Sequence, residues 1–368
     1  MSKKHQILLL NYEFPPLGGG GSPVSYEITD ELSKTGQFDI DVVTMGYKNL
    51  PKYEEINPSF RIHRVPCLRS KKEICQPWEQ ATYLISGFFK SWQLINKKRY
   101  DLCYTHFIIP TGFLALIIKF LFKLEYVITS HGSDVLGYNP RFKKLYPFLK
   151  YPWKKILDNA KTITSPTNFL KTEIQKVHPD LDQNKIIVIP NGITAGKFVP
   201  LPKEKYILLV GRLTINKGFQ DFIEAIKDLD LKDWQVKIVG EGPYRSILEK
   251  MVKDYRLENK VNFLGWIDNK DPLLHELYGK AAIFVLPSWF ENMNVTLMEA
   301  LQAGCDVLAS DVGGNPEVTD QNNLFPAKNP PALRAKLISK LAKINFHLPS
   351  NTRFNWENII SQFVEIFK

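Results

Sequence analysis

Three clusters of residues in this chain have the types and spacing to hold an anionic, hydroxyl-rich ligand. Glu291 and Glu299 stand eight positions apart. The first follows the apolar run 281–286 and Pro287-Ser288, and the second sits inside the helical pattern Val295, Leu297, Met298, Ala300, Leu301. A strand, a loop and a helix start are the expected frame, with Glu291 in the loop and Glu299 about two turns along the helix. The free N–H groups of that helix start, at Met293, Asn294 and Val295, and the positive end of its dipole suit phosphate or sugar oxygens. Each carboxylate accepts hydroxyl hydrogen bonds in a fixed plane. The alternative is a solvated glutamate at each end of a helix.

The second cluster is Gly211-Arg212-Leu213-Thr214-Ile215-Asn216-Lys217-Gly218, after the apolar run 206–210. Arg212 offers a planar fork and Lys217 a compact point charge, a combination suited to a diphosphate. Surface cations are the alternative. The third is His131-Gly132-Ser133-Asp134, at the end of the run 126–130. A histidine there is as open to catalysis as to a structural role, and Asp134 could orient it or cap the next helix. Gly18, Gly19 and Gly20 lie in a Pro-Pro-Leu-Gly-Gly-Gly-Gly-Ser loop after the first apolar run. Such a loop can wrap phosphate or an acceptor, or be merely flexible. It lacks the dinucleotide spacing, because Asp39 and Asp41 sit at the edge of a strand. Glu241 in Val239–Pro243 and Trp266 in Phe263–Trp266 mark two further strand-end turns.

These loops need a scaffold, and both halves of the chain supply one by alternating apolar runs with helical patterns, the signature of parallel sheets built from βα units. Expected strands in the first half are 7–10, 40–44, 102–105, 126–130, 162–165 and 186–193; in the second, 206–210, 236–239, 261–264, 283–286 and 306–309. Phe219, Phe222, Ile223 and Ile226 predict a helix with one buried stripe. Pro190-Asn191-Gly192 and Pro200-Leu201-Pro202 predict a linker. The fold class is α/β, with two doubly wound domains facing across a cleft, and such sheets bind ligands beyond the carboxyl ends of their strands.

Trp289-Phe290-Glu291-Asn292, Glu299-Ala300-Leu301-Gln302-Ala303-Gly304 and the segment Ser310–Glu317 together resemble the donor-site block of the retaining glycosyltransferases of family 4. That family pairs two glutamates separated by seven residues, as Glu291 and Glu299 are, and Gly211–Gly218 matches its Gly-Arg-x-x-x-x-Lys-Gly loop. The family's usual aromatic-glycine step after the first glutamate is Met293-Asn294 here. The resemblance implies the two-Rossmann arrangement called GT-B, with domains 1–190 (acceptor side) and 191–352 (donor side) and residues 353–368 crossing back to the first. It implies transfer of a sugar from a UDP- or GDP-sugar to a glycan or glycolipid hydroxyl, with retention. Arg212 and Lys217 would hold the diphosphate, Glu291 and His131 the sugar, and Glu299 the ribose; the glycine loop would meet phosphate and acceptor, and the loops of Glu241 and Trp266 would approach the base. An epimerase of the same fold, or a non-catalytic nucleotide-sugar-binding subunit, are the rival readings. No cofactor is expected. Asp-x-Asp occurs at 39/41, 180/182 and 228/230, none in a strand-end site loop, and with Arg212 and Lys217 present a metal is not required.

A length of 368 residues predicts two domains, and 44% apolar content predicts packed cores. Cys67, Cys75, Cys103 and Cys305 form no C-x-x-C pair, as expected for reduced thiols in the cytoplasm. The apolar run 7–10 is too short for a signal peptide, and 112–124 too short for a membrane span. Of the net charge of +10, the first 190 residues carry 26 cations against 17 acids. The densest stretch, 141–155, has six cations and no acid among Phe142, Tyr146, Phe148, Tyr151 and Trp153. That chemistry fits the headgroup zone of an anionic membrane, or equally a solvated basic helix pair. No nucleic-acid-binding motif accompanies it.

Overall fold

A computed structural model describes residues 3–137, 146–343 and 350–368. The chain forms two compact units, Met1–Gly192 with Trp356–Lys368, and Ile193–Asn355.

In unit 1 the order is β1 (His5–Leu10), α1 (Gly21–Lys34), β2 (Phe38–Met45), β3 (Tyr53–Asn57), β4 (Phe60–Val65), α2 (Pro77–Lys97), β5 (Leu102–His106), α3 (Thr111–Phe122), β6 (Tyr126–Thr129), α4 (Tyr146–Asn159), β7 (Thr162–Ser165), α5 (Asn168–Val177) and β8 (Ile186–Val188). One sheet runs β3-β4-β2-β1-β5-β6-β7-β8, parallel except for β3 against β4. Its inner strands are buried on both faces, so they read as unbroken apolar runs: Ile7, Leu8, Leu9 and Leu10 are all inaccessible to solvent. The hairpin β3–β4 was not expected. Tyr-Glu-Glu-Ile-Asn is mostly solvated on a sheet edge, which erases the apolar signal. The expected strand 186–193 stops at Val188, just ahead of Pro190, which has no N–H for a ladder.

Unit 2 follows with β9 (Glu204–Val210), α6 (Phe219–Ile226), β10 (Gln235–Val239), α7 (Arg245–Asp254), β11 (Val261–Gly265), α8 (Pro272–Lys280), β12 (Ala281–Leu286), α9 (Val295–Gln302), β13 (Asp306–Ser310), α10 (Asn315–Val318), β14 (Leu324–Phe325) and α11 (Pro330–Ala342). Its sheet is parallel, in the order β11-β10-β9-β12-β13-β14. The stripe Phe219, Phe222, Ile223 and Ile226 of α6 is buried. Leu333 and Leu337 of α11 join the same core.

The last helix, α12 (Trp356–Phe367), belongs to unit 1, as expected. Its Trp356 indole donates to Glu27 of α1 at 3.0 Å, and Phe367 packs on Tyr104 and Phe38 with ring centroids 4.6 and 5.9 Å away. Among the described residues no helix is long and apolar enough to cross a membrane. Residues 141–145 of the basic-aromatic stretch lie outside the described residues.

Candidate functional site

In each unit the strand order reverses at one place. The chain of unit 2 builds β9, β10 and β11 outward in one direction, then returns to lay β12 on the other side of β9. Loops leaving β9 and β12 therefore diverge, and the space above their carboxyl ends is where an open α/β sheet accepts a ligand. Those two loops are 211–218 and 287–294, which carry Arg212, Lys217 and Glu291.

Backbone contacts hold the two loops together. Gly218 has φ +67°, and a Cβ there would lie 1.9 Å from the Pro287 carbonyl oxygen, so only glycine permits the approach. The Trp289 N–H donates to the Asn216 carbonyl at 2.8 Å, and the Trp289 indole to Asp221 at 2.5 Å. This docking delivers Lys217 Nζ to 2.5 Å from Glu291 Oε1. Glu291 is only 9% exposed, Lys217 is partly buried, and Arg212, on the same loop, is exposed. On the other side, Leu213 donates to the Glu241 carbonyl at 2.9 Å and accepts from Tyr244 at 3.0 Å, tying the loop to the turn after β10.

Glu299 lies just over one turn into α9, not two, because the helix begins only at Val295. It is 3% exposed and accepts from Asn269 at 2.8 Å. Burial, with the charge of Glu299, pushes the nearby Tyr278 phenol well above its ordinary value. Asn294 caps α9: its Oδ1 accepts from Leu297 N–H at 3.2 Å and from the Thr296 hydroxyl at 2.6 Å. Asn294 thus supplies a favoured N-cap that takes up the Leu297 N–H, while those of Val295 and Thr296 remain at the helix start.

The segment 310–317 supports the β12 loop from behind. Ser310 Oγ donates to the Ser288 carbonyl, and Gly314 N–H donates to the Asn292 carbonyl at 2.7 Å. Two expected residues stand apart from this arrangement. The Glu241 side chain pairs with Arg245, and Trp266 is 67% exposed beyond β11, the outermost strand. Gly211 lies in the backbone ladder, donating to Val239 at 3.0 Å.

Unit 1 reverses between β1 and β5. The loop 11–20 after β1 carries Gly18, Gly19 and Gly20; Gly18 N–H donates to Lys72 at 2.9 Å, and Gly19 N–H to Glu13 Oε2 at 3.4 Å. Nothing crowds the Cβ directions of Gly19 and Gly20, whereas that of Gly21 points at the His131 ring, 3.1 Å from Cγ. The start of α1 and His131 are therefore neighbours. His131 Nε2 lies 2.9 Å from Nδ1 of His106, the last residue of β5, with the rings stacked. Burial drives the pKa of His131 down to about 4, and burial together with the His131 charge drives that of His106 well below its ordinary value. Both rings are neutral at pH 7. Asp134 accepts from the backbone N–H of His131 at 3.0 Å and of Ile108 at 2.7 Å, stapling two strand-end loops together, and the described residues that follow it, 135–137, are bend and turn.

Sequence reasoning missed His106, Asn269 and Glu13. His106 closes an apolar run of ordinary appearance, and its position 25 residues before His131 was the only hint. Of the Asp-x-Asp pairs, Asp39 and Asp41 are taken up by cations inside β2. Arg61 reaches both at 2.6 and 2.8 Å, Lys98 lies 2.6 Å from Asp41, and His63 lies 3.0 Å from Asp41.

Two parallel-sheet α/β units, each with its switch point lined by glycine loops and charged side chains, define the GT-B class of glycosyltransferases. Solved structures agree. Sucrose-phosphate synthase from Thermosynechococcus elongatus superposes with a TM-score of 0.83 at 22% identity, covering 99% of this chain and 98% of that one. The Anabaena HepE protein in complex with UDP-glucose gives 0.73 at 16% identity, covering 98% of each. An uncharacterized glycosyltransferase of Methanocaldococcus jannaschii is 27% identical over 400 residues, 99% of this chain and 98% of that protein. Residues 18–197 match Glycosyltransferase Family 4, and residues 195–354 match Glycosyl transferases group 1. The chain belongs to the group 1, family 4-type glycosyltransferases.

Proposed function

We propose that unit 2 binds a nucleotide diphosphate sugar above β9 and β12, and that the sugar is transferred with retention to an acceptor hydroxyl without a metal ion. The observation that carries this is the ion pair Lys217–Glu291 at 2.5 Å, an acid and a base held together at the switch point with Arg212 exposed on the same loop. As the bond between the anomeric carbon and the phosphate breaks, negative charge grows on the diphosphate. Arg212, Lys217 and the first-turn N–H groups of α9 neutralise it, which is electrostatic preorganisation. Two cations already fixed on one loop supply the charge that a divalent metal supplies elsewhere. Glu291 accepts hydroxyls of the sugar, and Glu299 those of the ribose. UDP is the proposed nucleotide, because UDP-glucose occupies the related Anabaena protein.

Neither glutamate need attack the sugar. In the proposed front-face reaction the acceptor oxygen bonds to the anomeric carbon on the face the phosphate leaves, and the acceptor proton passes to the departing phosphate oxygen. At the switch point of unit 1 the neutral ring of His131 can donate or accept a hydrogen bond to a hydroxyl. The acceptor is a lipid-linked or anionic glycan held by unit 1, whose basic, aromatic character suits a protein peripheral to a membrane on its cytoplasmic side.

Product configuration tests the proposal. Proton NMR of the first turnover should show an α-linked product from an α-linked donor; an inverted product contradicts it. A trapped glycosyl-Glu291 adduct would replace front-face attack with double displacement. Epimer formed from donor alone would favour an epimerase, and absence of any turnover by the pure protein would favour a binding subunit.

A further inference from the structure

Helix α2 packs Leu84, Phe88 and Ile95 against the core and carries a second apolar stripe on its outward side. Its buried side carries Glu79, Gly87 and Ser91 beside Tyr83 and Leu94, whereas Trp78, Ile85, Phe89 and Trp92 are exposed. Positions i, i+7, i+11 and i+14 fall on one stripe of an α-helix, so these four form a continuous apolar line in water. The neighbouring helices continue it. α3 packs on α2 and α4 on α3; α3 exposes Phe120 and Leu121, and Phe148 of α4 is 79% exposed. By contrast, α1 and α12, which pack together on the opposite face of the sheet, expose no large apolar side chain among the described residues. Isolated exposed apolar residues are ordinary, but three adjacent helices sharing one such face mark an interaction surface.

Charge identifies the partner. Within α2, α3 and α4 there are six lysines against two carboxylates, Glu79 and Asp158, and Glu79 is buried in the capping box of α2. Beside α2 a cavity of about 660 Å³ is lined by Phe89, Lys90 and Trp92 of the helix together with Lys52 and Arg64, with no carboxylate in its lining. Glu54 pairs with Arg64 at 3.1 Å. Tryptophan and phenylalanine with interspersed lysine are the chemistry of the boundary between headgroups and acyl chains of an anionic bilayer.

We propose that the face formed by α2, α3 and α4 seats unit 1 on an anionic bilayer, with Phe89, Trp92 and Phe148 entering the headgroup boundary and the cavity beside α2 receiving a lipid phosphate. This widens the contact expected of 141–155, of which 146–155 lie among the described residues, to three helices. It rests on the acceptor side of the proposed function and is independent of donor chemistry, because bilayer binding is read without nucleotide.

The test is flotation of the full chain with vesicles of phosphatidylcholine alone and with an equal mixture of phosphatidylcholine and phosphatidylglycerol. Binding to the mixed vesicles, weakened by salt, is expected. Phe89→Ser/Trp92→Ser should lower the partition coefficient by about tenfold or more, and Lys154→Ala/Lys155→Ala by about tenfold, from loss of buried apolar area and of cations near the surface. Thermal melts of both variants establish that they fold, and donor hydrolysis should be unchanged in each. Equal recovery with neutral vesicles, no recovery with either, or unchanged partitioning of both variants overturns the proposal. So does a sedimentation-velocity dimer that Phe89→Ser/Trp92→Ser dissociates while vesicle binding persists, because the face would then belong to a second copy.

Discussion

Lys217 Nζ and Glu291 Oε1 lie 2.5 Å apart although 74 positions separate them in sequence, and a glycine makes the meeting possible. Gly218 brings the backbone after β9 against Pro287 at the end of β12, and the two side chains follow. The pair balances charge in a partly buried place; a bound diphosphate would compete with Glu291 for Lys217 and leave the carboxylate to the sugar hydroxyls.

Lys217→Ala and Arg212→Ala should each remove about 2–4 kcal/mol of transition-state stabilisation, a fall in kcat/KM of roughly 30- to 1,000-fold, as for loss of one preorganised donor. Arg212→Lys should recover only part of it, because an ammonium cannot make the planar two-point contact. Steady-state kinetics on the three variants decide this, and a near-wild-type rate in either alanine variant removes that residue from the site.

Gly218→Ala tests the docking of the two loops. A methyl group at φ +67° facing the Pro287 carbonyl at 1.9 Å must displace backbone, and left-handed strain alone costs about 1–2 kcal/mol. Urea unfolding should show at least that loss, with weaker nucleotide binding. A variant as stable and as tight-binding as wild type would show that the loops are not held by this contact.

His131 gives a pH signature. Burial depresses its pKa to about 4, below the value of roughly 6.5 in an unfolded chain. The unfolded state then binds more protons between those values, so the stability due to a neutral His131 is complete above about pH 6.5 and is lost as pH falls toward 4. Activity should be level from neutrality to about pH 5 and decline below it with an acid limb set by His131 in the folded protein. His106→Phe removes the ring at 2.9 Å and should shift that limb. A pH–rate profile identical in His106→Phe would show that the pair does not govern His131.

Asp41, a group outside the site, predicts a loss of stability in the same direction but at lower pH. Burial opposes its charge, but hydrogen bonds from His63, Arg61, Lys98 and Tyr100 prevail and hold its carboxyl well below the usual carboxylate range. Its stabilisation is present above the unfolded carboxylate pKa and is lost in strong acid. Asp41→Asn leaves the partly buried Arg61 and Lys98 with Asp39 as their remaining carboxylate, and should cost about 1–3 kcal/mol, as for loss of a buried group's charged hydrogen bonds. Chemical denaturation at pH 7 measures it.

The inner strands were legible because parallel strands buried on both faces must be apolar throughout, and Ile283–Leu286 and Ile7–Leu10 are. Glycine or Pro-Ser turns after those strands located the loops, so Arg212, Lys217, Glu291 and His131 could be named before their partners. Their partners could not: Asn269 reaches Glu299 from a separate loop, and the ring behind His131 is a single histidine at the end of a greasy strand. The edge strand Tyr53–Asn57 was hidden by its solvated glutamates. The outward stripe of α2 was hidden for the reverse reason: the helix is apolar on two sides, with Tyr83, Leu84, Phe88, Leu94 and Ile95 on the core, and periodicity does not say which stripe points outward.

The central claim is that Lys217 and Arg212 hold the diphosphate of the donor. Isothermal titration of UDP into the wild-type chain and into the Arg212→Ala/Lys217→Ala variant tests it most directly. The account predicts measurable binding by wild type and a loss of at least about a hundredfold in the variant, as expected when charge-assisted hydrogen bonds to phosphate are removed. Equal affinity in the two proteins would contradict it.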